Sequence, residues 1–299
     1  MEKTENAEKT VGTIIKGIGG FYYVKTDDNS VYETHACGRF RKEKIIPLVG
    51  DRVYLTQKLD SICEILPRKS EFIRPPVANI DNMVVVMSAS FPEANLRLTD
   101  TMLFYFESRG TDVVICINKS DSDSDGKAKK LSDIYTSAGY RVIITSAVNK
   151  MGKDELESVL KGKITAFAGS SGVGKSSLLN LVCKEYNLET GTLSSKTERG
   201  RHTTRHVELL ELPFGGYVLD TPGFGKIDLP KITADATADY FREFKKYEGM
   251  CRFTGCTHTS ERDCAVLEAA EKGEIQPSRM ESYLAFFNEL KENKAWQLR

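Results

Sequence analysis

The sequence predicts a multidomain α/β protein: a small OB-like β-barrel, a domain built on a mostly parallel sheet, and a helical domain stapled by a Cys/His cluster. Three observations predict it. Five short β-prone runs, separated by turn signals, fill residues 11–68. Strands then alternate with helical segments through residues 69–229, the pattern of a parallel sheet covered on both faces. Residues 230–299 read as helical, interrupted by three cysteines and a histidine crowded together.

Taken in order, residues 1–10 are polar and expected to form a disordered tail. The barrel strands are expected at Gly12–Lys16, Phe21–Val24, Val31–Thr34, Asp51–Thr56 and Ser61–Leu66, with turns at Gly19-Gly20, Asp27-Asp28-Asn29 and Val49-Gly50-Asp51. Arg39, Arg41, Lys42 and Lys44 form a basic loop between them, and Pro67, Pro75 and Pro76 mark a linker. The second domain is expected to run strand Met83–Ala89, helix Thr99–Arg109, strand Asp112–Asn118, helix Lys127–Ala138, strand Arg141–Ser146 and helix Lys153–Leu160. Strand Ile164–Ala168, a Gly-rich loop, helix Lys175–Cys183 and strands Val207–Leu212 and Tyr217–Leu219 complete it.

Composition excludes little but sets the class. Of 299 residues, 42 are Lys or Arg and 42 Asp or Glu, so affinity for nucleic acid must come from local basic patches. The longest apolar runs are far short of a membrane span and no signal-peptide core is evident. Seven cysteines without a disulfide-framework spacing point to a reducing compartment, so a cytoplasmic, membrane-free protein is expected.

Chemistry is concentrated in short motifs. Gly169-Ser170-Ser171-Gly172-Val173-Gly174-Lys175-Ser176 matches the phosphate loop G-x4-G-K-[ST], between an apolar strand and a helix start. Its glycines let backbone N–H groups wrap a β-phosphate, Lys175 neutralises the β- and γ-phosphates, and Ser176 ligates Mg²⁺, with Ser177 completing the loop. Asn118-Lys119-Ser120-Asp121 chooses the base. The Asp121 carboxylate accepts from guanine N1–H and the exocyclic amine, which adenine lacks. Asn118 would hold N7 and the loop, and the Lys119 stem covers the base face. Ser146-Ala147 stands where a backbone N–H can meet guanine O6. Asp220-Thr221-Pro222-Gly223 follows a strand, so that Asp220 reaches Mg²⁺ through water and the Gly223 N–H senses a γ-phosphate. Thr203 or Thr204, in a polar switch-like stretch, completes the Mg²⁺ shell.

The guanine motif and Ser146-Ala147 come first, then the phosphate loop, the threonines and DTPG. That order is a circular permutation of the usual one. With the small β-domain ahead and the Cys/His cluster behind, the chain closely resembles the ribosome small-subunit-dependent GTPase A family over nearly its whole length. The resemblance implies an OB-fold N-domain, a circularly permuted P-loop GTPase domain, and binding to the small (30S) ribosomal subunit and its 16S rRNA. It further implies a late role in assembly of that subunit and GTP hydrolysis to GDP stimulated by it. A monomer is expected.

Cys251, Cys256, His258 and Cys264 supply three thiolates and one imidazole, a closed tetrahedral Zn²⁺ shell of the structural kind; the family's zinc pattern matches at all four positions. Phe224 stands where many GTPases carry the glutamine that orients the attacking water, a hydrophobic replacement that the family shares. His202, flanked by Arg199, Arg201 and Arg205, is the candidate catalytic substitute beside Lys175. Two other readings stay open: an RNA-binding module whose nucleotide site does not hydrolyse, and a permuted assembly GTPase serving another RNA particle.

Overall fold

The structure is a computed structural model, and it describes residues 10–183, 207–220, 224 and 227–297. The expected tail, residues 1–9 of it, falls outside the described residues. Two compact units divide the chain. Among the described residues the first holds 10–82, 160–166 and 207–220, and the second holds 83–159, 167–183, 224 and 227–297.

The first unit opens on a five-stranded barrel: β1 (Val11–Ile18), β2 (Phe21–Thr26), β3 (Val31–Ala36), β4 (Arg52–Leu55) and β5 (Ser61–Ile65). The strand order is β1-β2-β3-β5-β4, with β4 returning to β1 at Gly12↔Val53 and β3 parallel to β5 at Ala36↔Ile62. Closure leaves no free sheet edge in this barrel. A register shift between Ile14 and Lys16 bends β1 so that it serves both neighbours. Alternating side chains fill the interior, with Ile14, Val24, Val53, Leu55 and Ile62 buried. The basic residues expected in a loop instead form a short helix, α1 (Gly38–Glu43), which buries only Phe40 and ends at Lys44 with φ +56.

The proline-marked linker contains a hairpin that the sequence reading missed: β6 (Glu71–Ile73) with β7 (Pro76–Ala78). It is fixed to the barrel at the Val49-Gly50-Asp51 turn. Gly50 has φ +91, and a Cβ there would lie 2.0 Å from the Ala78 carbonyl oxygen, so only glycine fits. Next to it, the buried Asp51 carboxylate accepts from Arg68 Nε and Nη2, both at 2.8 Å. Prolines escape detection as strand residues because the hairpin is an edge element, where a missing N–H is tolerated. Two later strands also belong to this unit: β12 (Glu208–Glu211) runs antiparallel to β13 (Tyr217–Asp220), and β13 runs parallel to the start of β11 (Ile164–Ala168).

In the second unit β8 (Asn82–Ser88) lies beside β9 (Asp112–Asn118), and β9 is parallel to β10 (Arg141–Ile144). All seven residues of β8 are buried, as a central strand covered on both faces requires. The connecting helices are α2 (Leu96–Glu107), α3 (Lys127–Ser137) and α4 (Lys153–Leu160), and α5 (Lys175–Val182) follows β11. Asn95 caps α2, its Oδ1 accepting from Leu98 N at 2.9 Å. The C-terminal part holds 3-10 helices at Ala234–Tyr240 and Arg242–Tyr247, then α6 (Ala265–Glu271) and α7 (Pro277–Gln297). Its core is aromatic: Phe241, Phe244, Tyr283 and Phe286 pack with Phe104 of α2, and the Phe104 and Phe286 rings stack at 5.3 Å.

A fully buried arginine locks this packing. Arg279 of α7 donates from Nη1 to Asp100 Oδ1 of α2 at 2.6 Å and from Nε to Glu243 Oε1 at 2.6 Å, and its guanidinium lies 4.7 Å from the Phe241 ring centre. Ser282 Oγ donates to the other Asp100 oxygen at 2.5 Å. Burial pushes the Asp100 carboxyl up, against the pull of Arg279. Arg279→Met should therefore leave two buried carboxylates without their cation and destabilise the second unit by about 3–5 kcal/mol, read from urea unfolding. An unchanged midpoint would show that the two carboxylates do not need it.

Candidate functional site

The phosphate loop leaves β11 and enters α5 through three glycines with positive φ: Gly169 (+140), Gly172 (+80) and Gly174 (+98). Two of them are required by close neighbours. A Cβ on Gly169 would sit 2.3 Å from the Val86 carbonyl oxygen of β8, and one on Gly174 would sit 2.2 Å from Asn118 Nδ2. Lys175 Nζ donates to the carbonyls of Gly169 (2.8 Å) and Ser170 (2.7 Å), inside the loop it closes. Burial lowers its pKa, a cost to the charged form that an anion bound there would offset. Ser170 and Ser177 are partly buried, Val173 is buried, and Ser171 and Ser176 are exposed.

Asn118 ends β9 and joins three segments. Its Nδ2 donates to the Val173 carbonyl at 3.0 Å, and its Oδ1 accepts from Thr145 Oγ1 (3.2 Å) and the Ala147 N–H (3.3 Å). The amide thus uses both its nitrogen and its oxygen in a buried position. Lys119, at φ +64, turns the chain into a 3-10 helix at Ser120–Ser122 and sends Nζ to the carbonyls of Gly172 and Phe91, both at 2.6 Å. Ser120 Oγ donates to the Thr145 carbonyl at 2.9 Å. The Asp121 carboxylate is exposed and accepts from Ser146 Oγ (2.6 Å) and Ser122 Oγ (2.9 Å), which together hold its pKa below the usual range. At pH 7 it is an anion held ready to accept hydrogen bonds.

The structure brings Asn118, Lys119, Ser120, Asp121, Ser146 and Ala147 together with the phosphate loop, all within the second unit. Ser146-Ala147 falls two residues beyond the end of β10, not on the strand. Asp220 ends β13 in the first unit. His202, Thr203, Thr204 and Gly223, with Arg199, Arg201 and Arg205, lie outside the described residues. Phe224 is buried: it bridges to Ala168 and meets Phe106 of α2 edge-on, the ring centres 5.5 Å apart. Its side chain serves packing. Thr145 and the Phe91 carbonyl are contributors that the sequence reading missed; neither belongs to a recognisable motif, and only the fold brings them to Asn118 and Lys119.

Near the C-terminus, the ligand atoms of Cys251, Cys256, His258 and Cys264 lie within 4.8 Å of one another. Cys251 Sγ is 3.9 Å from Cys264 Sγ, and His258 Nδ1 is 3.6 Å from Cys251 Sγ and 3.3 Å from Cys264 Sγ. A tetrahedral Zn²⁺ with Zn–S and Zn–N bonds of normal length needs S···S near ~3.8 Å and S···N near ~3.5 Å, so the cluster fits. Burial lowers the His258 pKa, favouring the neutral imidazole that a metal requires. The loop is organised by Glu261, another residue without a motif. Its two oxygens accept from Thr257 N (2.7 Å), Thr257 Oγ1 (2.5 Å), Thr259 N (2.8 Å) and Ser260 N (3.1 Å). Against the burial that opposes it, these bonds hold Glu261 down at about 2.

A closed OB-like barrel, a guanine motif preceding its phosphate loop, and a Cys3His cluster together define a circularly permuted GTPase. Comparison with known proteins is specific. A family model described as "RsgA GTPase" matches residues 65–230, and one described as "RsgA N-terminal domain" matches residues 11–62. The chain belongs to the RsgA GTPase family. It is 48% identical to a Caldanaerobacter subterraneus subsp. tengcongensis protein named "Small ribosomal subunit biogenesis GTPase RsgA", covering 96% of this chain and 98% of that one. A Geobacillus thermodenitrificans protein of the same name is 45% identical, over 95% and 98%. Among solved structures, YjeQ from Thermotoga maritima is similar with TM-score 0.81 and 34% identity, over 94% of this chain and 98% of that one. YloQ, described as a circularly permuted GTPase, gives TM-score 0.82 and 32% identity, over 98% and 99%. Among the described residues, no helix is long and apolar enough to cross a membrane.

One Zn²⁺ per chain is expected by elemental analysis of protein purified without chelators. Cys256→Ser should lose it and loosen the C-terminal part, while GDP affinity changes less than about threefold, since no zinc ligand touches the guanine motif or phosphate loop. Full zinc occupancy in Cys256→Ser would remove that cysteine from the shell.

Proposed function

We propose that this chain binds GTP and GDP, hydrolyses GTP to GDP and phosphate, and acts as a late assembly factor of the small (30S) ribosomal subunit. In this reading the subunit stimulates hydrolysis, and hydrolysis times release. The observation that carries the nucleotide half is the Asn118 amide, which ties the guanine motif to the phosphate loop at Val173. The partner follows from the name shared by relatives that match almost the whole chain. We assign residues 11–68 to rRNA contact on the barrel, 69–229 to the GTPase domain and 230–299 to the zinc domain, in a cytoplasmic monomer without a membrane partner.

Asp121 would bind the guanine edge and Ala147 its O6, with the Lys119 stem along the base and residues 169–177 around the phosphates. Ser176, exposed beside Lys175 in the first turn of α5, and Thr203 or Thr204 would hold Mg²⁺, with Asp220 behind a water. When bound, the cation would neutralise charge across the β- and γ-phosphates. Because the Phe224 ring is buried against Phe106, the group that orients the attacking water must come from elsewhere, and His202 is the candidate.

Asp121→Asn should weaken GTP and GDP binding and favour xanthine nucleotides, whose C2 oxygen accepts from the new amide; equal binding of ATP and GTP by the unaltered protein would sink the base assignment. His202→Ala should keep GTP affinity and lose about 10²–10⁴-fold of the subunit-stimulated rate in single-turnover hydrolysis with saturating small subunits. A full stimulated rate in that variant would move the catalytic role away from this histidine. Phosphate release compared with small and large subunits tests the partner.

A further inference from the structure

The carbonyl of Phe91 has two donors. Lys119 Nζ reaches it at 2.6 Å and Ser88 Oγ at 3.3 Å, while the same Ser88 oxygen accepts from the Ser90 N–H at 3.2 Å. Ser88 is the last residue of β8 and is 1% exposed, so its hydroxyl is a fixed post from which the loop into α2 is hung. The next residue, Pro92, stands against the phosphate loop: a Cβ placed on Gly172 would lie 3.6 Å from Pro92 Cδ. The Phe91 ring, by contrast, is 83% exposed and takes no part in these contacts.

Elementary donor counting gives this loop a role. An ammonium has three hydrogens and no acceptor. Two of those on Lys119 are taken by Gly172 O and Phe91 O, one from each side. Nζ is thereby held between the β8–α2 loop and the phosphate loop. Among the described residues nothing takes the third hydrogen, which is then available to the part of a nucleotide that spans the guanine motif and the phosphate loop, the ribose. With Gly172 O alone, the long side chain would keep much of its rotamer freedom and would have to lose it on binding.

We propose that the β8–α2 loop is a third clamp of the nucleotide site, in which Ser88 and Pro92 are positioning residues that act through Lys119. The inference rests on the nucleotide reading above. The contact is made by backbone: the loop delivers the Phe91 carbonyl, so the identity of that side chain is immaterial.

The test is a double-mutant cycle on GDP affinity, measured by calorimetry with unlabelled nucleotide so that no ribose tag intrudes. Ser88→Ala should weaken GDP binding about fivefold, the usual net worth of a lost hydrogen bond or slightly more. Pro92→Gly should weaken it by about threefold or more, Ser88→Thr should retain wild-type affinity, and Phe91→Ala should stay within about twofold. In a Lys119→Met background, Ser88→Ala should cost less than about 1.5-fold, since the residue it serves is gone. A merely structural role for Ser88 would give the same loss in both backgrounds, and that outcome overturns the proposal, as does wild-type affinity in Ser88→Ala or a large loss in Phe91→Ala. A wild-type protein that binds no GDP would overturn the nucleotide reading itself, and this inference with it.

Discussion

The nucleotide site depends on one buried amide. Asn118 is 1% exposed, and its side chain and main chain together reach four residues in three segments: Val173 in the phosphate loop, Thr145 and Ala147 past β10, and Ala89 just after β8, whose N–H donates to the Asn118 carbonyl at 2.8 Å. A buried amide with an unpaired donor costs about 1–3 kcal/mol, so its four neighbours are held in one arrangement. The constraint extends to sequence. The glycine before Lys175 is needed because Asn118 Nδ2 occupies the space where a Cβ would stand. A motif commonly attributed to phosphate geometry is here also a packing requirement of the base-reading strand.

Around that amide, α2 is the element with the most varied duties. Its N-terminal approach carries Phe91 and Pro92 against Lys119 and Gly172. Its buried face presents Phe106 to Phe224, Phe104 to Phe286, and Asp100 to Arg279. The residue following the DTPG motif and the last helix of the chain are therefore packed on the same short helix. In a permuted chain the segment after DTPG does not return to a strand but runs on to the C-terminal part, and α2 is where that part is anchored. The anchor is polar as well as aromatic, and Arg279 satisfies two carboxylates from different elements in a site without water access.

The zinc cluster answers a different physical problem. Between the 3-10 helix at Arg242–Tyr247 and α6, the chain is a run of turns with little regular hydrogen bonding, from Glu248 to Cys264. Such a segment cannot bury enough apolar surface to offset the entropy of ordering it. Four ligands closing on one cation, with Glu261 collecting the loop N–H groups and Tyr283 donating its hydroxyl to the Thr257 carbonyl, supply the cross-links that a core would otherwise provide.

What the sequence determined by itself was whatever depends on neighbours in the chain. The phosphate loop, the Asn118–Asp121 motif, the metal ligands and most strands were legible because glycine conformations, helix starts, strand alternation and ligand spacing are short-range properties. The five barrel strands appear within two residues of their expected bounds. Where short-range signals were weak, the reading failed: prolines concealed the β6–β7 hairpin, and charged residues of α1 looked like a loop. The tertiary structure alone decided which distant residues meet. Arg279 and Asp100 are 179 positions apart, Asn118 and Val173 are 55 apart, and Lys119 and Phe91 are 28 apart. No local propensity encodes such pairs, since each exists only after strands and helices have packed and left one polar group facing another.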